Sequence, residues 1–306
     1  MNDFFIKFTI GLRNKFLLKN IFDFLEFFLC FLSKFISNEN KIFSIFQVFS
    51  SGKLISRLRF QKSKLLVNTK DRILENINQK SYCYLGKIDS HELINAKNYF
   101  LNQKKIYNSH IPNVRNNNEI LMKDFNQNES SNYGSYDIKT SVNCPNLEKI
   151  CNKFKFKELS QKYLNSKNTK VYSINTMLSK KTNNQHGVTK LHRDFDSSNS
   201  IVFFIYWTKV SKNDGATSLL PGSHLYAHDK NFHKGFKEFD KLEYLEGEEG
   251  SIFCLDTWSY HRGNPKINTN RLATWVRFTA VPAKTYFLDE NFLFQDSLNK
   301  FNHKLI

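Results

Sequence analysis

The chain has 306 residues, 40% of them hydrophobic, which is enough for one large domain or for a domain with an appended segment. With 11 glycines and 5 prolines it is not a low-complexity chain, and its five cysteines form no CxxC pair, which argues against a disulfide framework or a zinc ribbon and favours a reducing cytoplasm. The net charge of +17 would suit an anionic partner, but lysine is enriched together with asparagine, isoleucine and phenylalanine, as in proteins from AT-rich genomes, so charge alone does not indicate nucleic-acid binding.

Residues 1–68 are predicted to form a basic, amphipathic helical extension. Apolar residues recur at close to helical spacing between Phe16 and Phe35, and charged residues interrupt them. The longest uncharged run, residues 42–52, is shorter than the roughly 18–20 residues that span a bilayer, and no secretory signal is recognisable. With 11 basic and 4 acidic residues, the segment suits either a helix lying on an anionic membrane or a cover packed on the protein's own core or on a partner. Because apolar residues encircle much of the helix, we favour the cover.

The region after the extension mixes helices, a strand and a long loop. An aromatic run at 82–85 suggests a short strand, and Asp89 with Glu92 three residues on marks the start of a helix. Residues 102–143 are rich in Asn, Ser, Lys and Tyr without periodicity, so we expect an irregular loop that is either disordered or a lid. Apolar residues at helical spacing follow over 147–163.

The C-terminal half, with a core over residues 169–282, is predicted to be mainly β. Short runs of β-branched, aromatic and aliphatic residues alternate there with turn sequences. The predicted strands are Val171–Leu178, Ile201–Val210, Ala216–Leu220, Ser251–Leu255 and Leu272–Val281. Many short strands without intervening helices indicate a sandwich or barrel, and a jelly roll is the variant that most often holds a metal. Residues 69–306 are thus predicted to be one mainly β domain with flanking helices.

Three residues of this region form a candidate metal site. His192 and Asp194 lie two positions apart, so in an extended strand both side chains point to the same face and can share one ion. A His-x-Asp pair alone is weak evidence, but His261 follows a later strand and several β crossings can return it beside the pair. Two imidazoles and one carboxylate form a facial triad that holds iron(II) and leaves three positions for a co-substrate and dioxygen.

Arg271 is the candidate anchor for that co-substrate. It lies ten residues after His261 and opens a predicted strand. A guanidinium there can bind the distal carboxylate of a dicarboxylic acid through two parallel hydrogen bonds, which a lysine could not match.

These residues, in this order, resemble the phytanoyl-CoA dioxygenase family of iron(II)- and 2-oxoglutarate-dependent oxygenases. The segments that carry the resemblance are His192-Arg193-Asp194, Ile201 to Thr208, Asp214-Gly215, Pro221-Gly222-Ser223-His224, His261-Arg262-Gly263 and Arg271. The resemblance covers roughly residues 81–281 and implies a double-stranded β-helix, a cupin-like jelly roll. It further implies that His192, Asp194 and His261 are the catalytic iron(II) ligands, that Arg271 binds 2-oxoglutarate, and that dioxygen is the other co-substrate.

Two positions bear on how far the resemblance extends. Some family members place a Ser or Thr two residues after the distal histidine to assist the 2-oxoglutarate carboxylate, whereas this chain has Gly263, with Thr269 as a potential substitute. Asp194 is retained, whereas halogenating relatives have Gly or Ala at this ligand. The resemblance therefore favours hydroxylation over halogenation.

Several residues near the predicted ligands have alternative roles. Asp256 either supports His261 through the far imidazole nitrogen or makes a local strand-end hydrogen bond. The others are expected to be mainly structural: Ser223 and His224 in a turn, Arg193 and Arg262 turned away from the metal and paired with acids such as Asp196, and Asn175 and Met177 lining the pocket or filling the core.

The sequence thus predicts a cytoplasmic oxidoreductase, a dioxygenase that hydroxylates a small-molecule metabolite with release of succinate and carbon dioxide. The alternative is a catalytically silent β-helix that binds a membrane surface or a partner through residues 1–68. A nucleic-acid partner is not expected, because no recognition motif accompanies the scattered lysines. No oligomeric state is predicted.

Overall fold

The computed structural model describes residues 71–109, 118–128, 132–167, 169–181, 191–194, 200–225, 241–264, 267–280 and 295–306. The predicted extension over residues 1–68 lies outside these ranges. The helices within them are α1 (Arg72–Lys80), α2 (Ser90–Leu101), α3 (Met122–Gln127), α4 (Ile138–Val142), α5 (Leu147–Lys153), α6 (Phe156–Leu164) and α7 (Gln295–Lys304). None of these described helices has the length and apolar character needed to cross a bilayer.

Antiparallel strands in two sheets form the main body of the described chain. The strands are β1 (Tyr82–Lys87), β2 (Lys105–Tyr107), β3 (Glu119–Leu121), β4 (Tyr133–Tyr136), β5 (Lys170–Ser179), β6 (Ser200–Tyr206), β7 (Thr217–Leu219), β8 (Glu243–Tyr244), β9 (Ser251–Leu255), β10 (His261–Gly263) and β11 (Arg271–Thr279). The larger sheet has the order β1-β9-β6-β11-β5-β4-β2-β3, and the smaller has the order β10-β7-β8. The mainly β jelly roll expected from the sequence is confirmed.

Strand β6 shows why the large sheet is buried on both faces. Phe203 points to one side, where its ring stacks on Phe156 of α6 with centroids 4.0 Å apart. Phe204, the next residue, points to the other side and joins an apolar cluster that includes Leu219 of the small sheet and Ala273 of β11. Because alternate residues face helices and the second sheet, every residue of the strand is apolar or buried, and the space between the sheets becomes the interior of the jelly roll.

Most of the predicted core strands agree closely with the structure, whereas the strand predicted at 201–210 is found as Ser200–Tyr206. Ser251–Leu255 has the predicted bounds, and the strands predicted at 171–178 and 272–281 are found as Lys170–Ser179 and Arg271–Thr279. The helix predicted over 147–163 is instead two helices, because Lys155 adopts a left-handed backbone conformation with φ of 54° between them. Long, apolar strands are predicted well from the pattern of their residues, whereas a break between two short helices leaves no such pattern.

The prediction of an irregular loop over residues 102–143 is wrong for most of the part that the structure describes. That part contains β2, β3, α3, β4 and α4, and β4 extends the large sheet by pairing with β5. Strands of three or four residues are too short to show a period of two, and polar residues interrupt them. Tyr107, Tyr133 and Tyr136 are nevertheless buried, so the aromatic residues of this segment contribute to the core.

We predict that Phe203→Ala lowers the free energy of unfolding by about 3–5 kcal/mol, the usual cost of truncating a core phenylalanine. The side chain is fully buried and stacks on Phe156, so its removal leaves a cavity under α6. Urea unfolding followed by circular dichroism measures the change. Ile94→Ala is the matched control, because that side chain is 54% exposed and its loss should cost no more than about 0.5 kcal/mol. Equal stability of wild type and the Phe203 variant would contradict the described packing.

Candidate metal centre

Backbone pairing brings His192, Asp194 and His261 together. His192 and His261 exchange two backbone hydrogen bonds, 2.9 Å and 2.8 Å long, as an isolated antiparallel bridge at the start of β10. The backbone N–H of Asp194 donates to the carbonyl of Thr257 at 3.0 Å, which extends the pairing from His192 to Asp194. Residues two apart on an extended segment share a face, so this register directs all three side chains to one place.

The side chains form a compact donor set. Asp194 Oδ1 lies 3.6 Å from Nε2 of His192 and 3.8 Å from Nε2 of His261. One ligand atom from each residue can be chosen so that all three lie within 4.8 Å of one another, and no other such group of His, Cys, Asp and Glu occurs in the described ranges. Two imidazoles with one carboxylate suit a non-haem iron(II) ion and leave coordination positions open, so the residues present fit the expected metal.

A backbone carbonyl orients the distal histidine. Nδ1 of His261 is 2.9 Å from the carbonyl oxygen of Ser259, which selects the tautomer that leaves Nε2 as the free acceptor beside Asp194. Burial lowers the pKa of His261 below its usual value, although Asp194 opposes this shift, so the ring is neutral and able to bind a metal at neutral pH. Asp256 makes the local hydrogen bond considered for it, accepting from the N–H of Trp258 at 2.9 Å, and it also accepts from the hydroxyl of Tyr163, distant in the chain, at 2.5 Å.

Arg277 is a site residue that the sequence analysis missed. Its Nη1 donates to Asp194 Oδ2 at 2.9 Å, while Oδ1 faces the two histidines. Burial would raise the pKa of Asp194, but Arg277 and then His261 outweigh it and hold the pKa at about 2. The carboxylate is thus ionised, with one oxygen held by Arg277 and the other directed at the metal position. Its location six residues after Arg271, on the same face of β11, is the signal that could have identified it.

Arg271 is a buried cation with unused hydrogen-bonding capacity. It is 5% exposed, donates from Nη1 to the carbonyl of Gly215, and lies with its guanidinium carbon 5.5 Å from the ring centre of Trp275. Gly215 has φ of +79°, and a side chain there would crowd Ile267 and come into contact with the guanidinium. Nε of Arg271 has no hydrogen-bond partner, and no carboxylate among the described residues pairs with this arginine. Burying a charge in this way is costly unless an anion joins it, so the arrangement suits a carboxylate ligand.

The proposed substitute for the missing hydroxyl at Gly263 is engaged elsewhere. The backbone N–H and the hydroxyl of Thr269 both donate to Asp214 Oδ1, at 3.1 Å and 2.9 Å. Thr269 is exposed, and this pair closes the turn that precedes β11. Thr269 therefore serves the turn.

The remaining predicted residues have mainly structural contacts. Arg193 is buried, donates to the carbonyl of Ser223 at 2.8 Å, and stacks on Tyr260 at 4.1 Å, whereas its suggested partner Asp196 lies outside the described residues. The hydroxyl of Ser223 donates to Leu220 and accepts from the N–H of Tyr260. Met177 is buried on the face of β5 that packs against Trp275, as expected of a residue lining the interior.

A jelly roll with a His–Asp–His centre and a buried arginine defines the class of non-haem iron(II)- and 2-oxoglutarate-dependent oxygenases. The model of the phytanoyl-CoA dioxygenase (PhyH) family matches residues 107–271, more than half of the chain, and the chain therefore belongs to this family. Family membership confirms the predicted enzyme class and its cofactors, iron(II) and 2-oxoglutarate. No curated protein matches the sequence significantly.

Solved structures share the fold at low sequence identity. EctD from S. alaskensis with 2-oxoglutarate and 5-hydroxyectoine is 13% identical, has a TM-score of 0.50, and aligns over 69% of this chain and 76% of its own. The 2-oxoglutarate-dependent carbocyclase SnoK from nogalamycin biosynthesis is 14% identical, with a TM-score of 0.49 and coverage of 69% and 84%. The epimerase SnoN from the same biosynthesis is 12% identical, with a TM-score of 0.48 and coverage of 68% and 79%. At these identities the likeness to EctD concerns the fold.

We predict that Arg277→Gln weakens iron(II) binding by about tenfold, because loss of an outer partner of a ligand typically costs 10- to 100-fold in metal affinity. Without the ion pair, Asp194 is free to turn Oδ1 away from the histidines. We expect this loss of orientation to lower the iron(II) affinity more than removal of the nearby positive charge raises it. Anaerobic calorimetric titration with iron(II) measures the affinity, and Arg72→Gln on exposed α1 is the control. Unchanged or tighter binding by the Arg277 variant would show that the pair does not orient the ligand.

Proposed function

We propose that this enzyme hydroxylates a small-molecule metabolite at an unactivated carbon, with 2-oxoglutarate and dioxygen as co-substrates and succinate and carbon dioxide as co-products. The observation that carries the proposal is the meeting of His192, Asp194 and His261, whose ligand atoms lie within 4.8 Å of one another. Arg271, buried and without a carboxylate partner among the described residues, adds an anion site on the interior face of β11.

In this proposal His192, Asp194 and His261 bind the iron, and Arg271 binds the distal carboxylate of 2-oxoglutarate. Bound iron supplies the activation of dioxygen that couples decarboxylation of the keto acid to oxidation of the substrate. One oxygen atom of dioxygen enters succinate and the other enters the substrate C–H bond. The electrons that reduce dioxygen come in pairs from the keto acid and from that bond, so the reaction needs no further reductant.

The chain's own contribution is orientation and exclusion of water. Arg277 and the Ser259 carbonyl hold Asp194 and His261 in place before any ligand binds. Phe204 and Leu255 belong to the apolar cluster between the sheets, and their side chains line the interior with surface that disfavours water. A dry site strengthens the charge-assisted hydrogen bonds of Arg271 and protects the oxidising step from water.

Retention of Asp194 supports hydroxylation as the reaction. In this proposal its carboxylate fills the coordination position that halogenating relatives leave open for a halide. A small molecule as the substrate agrees with the family, and EctD, which shares the fold, was solved with 2-oxoglutarate and the small molecule 5-hydroxyectoine.

We predict that anaerobic addition of iron(II) and 2-oxoglutarate to the full chain produces the visible charge-transfer band of the chelate, and that Asp194→Ala abolishes it. The band requires metal and keto acid on one site, so it reports the proposed roles before any turnover. Asp124→Ala, an exposed carboxylate on α3, should retain the band. On admitting oxygen, succinate release across a metabolite library then identifies the substrate. Absence of the band from wild type, together with absence of iron binding, would instead favour the silent binding module.

Residues 1–68 are proposed to act as a cover on the protein or on a partner. Their apolar residues encircle much of the predicted helix, which suits burial between protein surfaces better than one-sided contact with lipid. We therefore expect the full chain and a variant lacking residues 1–68 to sediment equally with anionic vesicles. Stronger sedimentation of the full chain, lost at high salt, would show that the segment binds the membrane electrostatically.

A further inference from the structure

Three neighbouring strands of the large sheet place Tyr133, Ser179 and Arg271 in one row. Arg271 of β11 is the direct partner of Ser179 of β5, and Ser179 is in turn the direct partner of Tyr133 of β4. Residues that face each other across antiparallel strands point to the same side of the sheet, with Cβ atoms about 5 Å apart. The row therefore lies on the interior face that also carries Met177, two residues before Ser179.

Two polar groups of this row are buried without partners. Ser179 is fully buried and its hydroxyl makes no hydrogen bond to any described residue, and Nε of Arg271 is likewise unsatisfied within the described ranges. The Nη1 atom of Arg271 already donates to Gly215, so that contact fixes the guanidinium and leaves the Nε side available. Buried polar groups are normally satisfied, so two unsatisfied donors in directly paired residues are well placed to share one acceptor.

The row also accounts for a departure from the family pattern. Gly263 lacks the hydroxyl that some relatives use beside the 2-oxoglutarate carboxylate, and Thr269 is engaged with Asp214. Ser179 offers a hydroxyl from a different strand, directly beside the arginine.

We propose that the Ser179 hydroxyl donates a hydrogen bond to the distal carboxylate of 2-oxoglutarate, together with Arg271, and that this pair selects a 2-oxo diacid over a 2-oxo monoacid. The inference rests on the proposed function, and it names the residue that replaces the hydroxyl absent at Gly263. Tyr133 packs at the end of the row against Met177 and Ile267 and closes it on the side of β4. Ser179 is a binding residue for the co-substrate, and it takes no part in metal binding.

The test compares the affinity of wild type and Ser179→Ala for two keto acids, by anaerobic titration of the charge-transfer band in the full chain with iron(II). One acid is 2-oxoglutarate, and the other is 2-oxopentanoate, which keeps the chelating end and lacks the distal carboxylate. We expect Ser179→Ala to bind 2-oxoglutarate about tenfold more weakly, in the range for a hydrogen bond to a charged group, and to bind 2-oxopentanoate as wild type does. Ser141→Ala, which removes another buried and unpaired hydroxyl on α4, should change neither affinity.

Thermal unfolding provides a second measurement. Because the Ser179 hydroxyl has no partner among the residues that the structure describes, its removal should not destabilise the apo chain. The stabilisation that 2-oxoglutarate gives to the metal-loaded protein should shrink in the variant, as its weaker binding requires. A variant that is unstable without ligand would show that Ser179 has a structural role, which would overturn the inference.

The outcomes separate this inference from the proposed function. A normal band in wild type with equal 2-oxoglutarate affinity in Ser179→Ala overturns the role of Ser179 and leaves the oxygenase function standing. Equally weakened binding of both keto acids also overturns the role of Ser179, because that result indicates a general distortion of the site. A wild-type protein that gives no band with either acid overturns the proposed function itself.

Discussion

The backbone bridge between His192 and His261 is the contact on which the candidate centre depends. Two hydrogen bonds join segments that are far apart in the chain, and they set both imidazoles beside Asp194 before any metal arrives. The bridge is possible because β10 belongs to the small sheet, which packs against the large one through the apolar interior. Core packing between the sheets thus stabilises the geometry of the site, and a shift of one residue in this pairing would turn the ligands to opposite faces.

The two interior arginines of strand β11 differ in whether a carboxylate of the protein neutralises their charge. Arg277 meets the carboxylate of Asp194 and is neutralised within the protein, whereas Arg271 has no such partner among the described residues. Both lie on the same face of the strand, six residues apart. In the proposed function, the charge of Arg277 orients a metal ligand and the charge of Arg271 binds the carboxylate of the co-substrate. Loss of the first contact would leave the metal ligand unsupported, and loss of Arg271 would leave the co-substrate without an anchor.

Sequence reasoning succeeded where a pattern was long or chemically distinctive. Strand Ser251–Leu255 was predicted with its observed bounds because four consecutive apolar residues, 252–255, follow the turn residue Gly250 and Ser251 and precede Asp256. The ligand pair His192 and Asp194 followed from a spacing of two. The segment 102–143 was misjudged because its strands have only three or four residues, and such strands gain their stability from the sheet that they join. Arg277 was overlooked because its importance comes from contact with Asp194.

The amino-acid sequence alone determined which donors are present, in what order, and on which face of a strand each can lie. It therefore specified the mainly β fold, the three candidate metal ligands and the candidate basic anchor, since these depend on local spacing and residue chemistry. Only the tertiary structure decided which strands pair and in which register, because hydrogen bonding between distant strands leaves no local trace in the sequence. That register joins His261 to His192, gives Asp194 its arginine, and places Ser179 opposite Arg271.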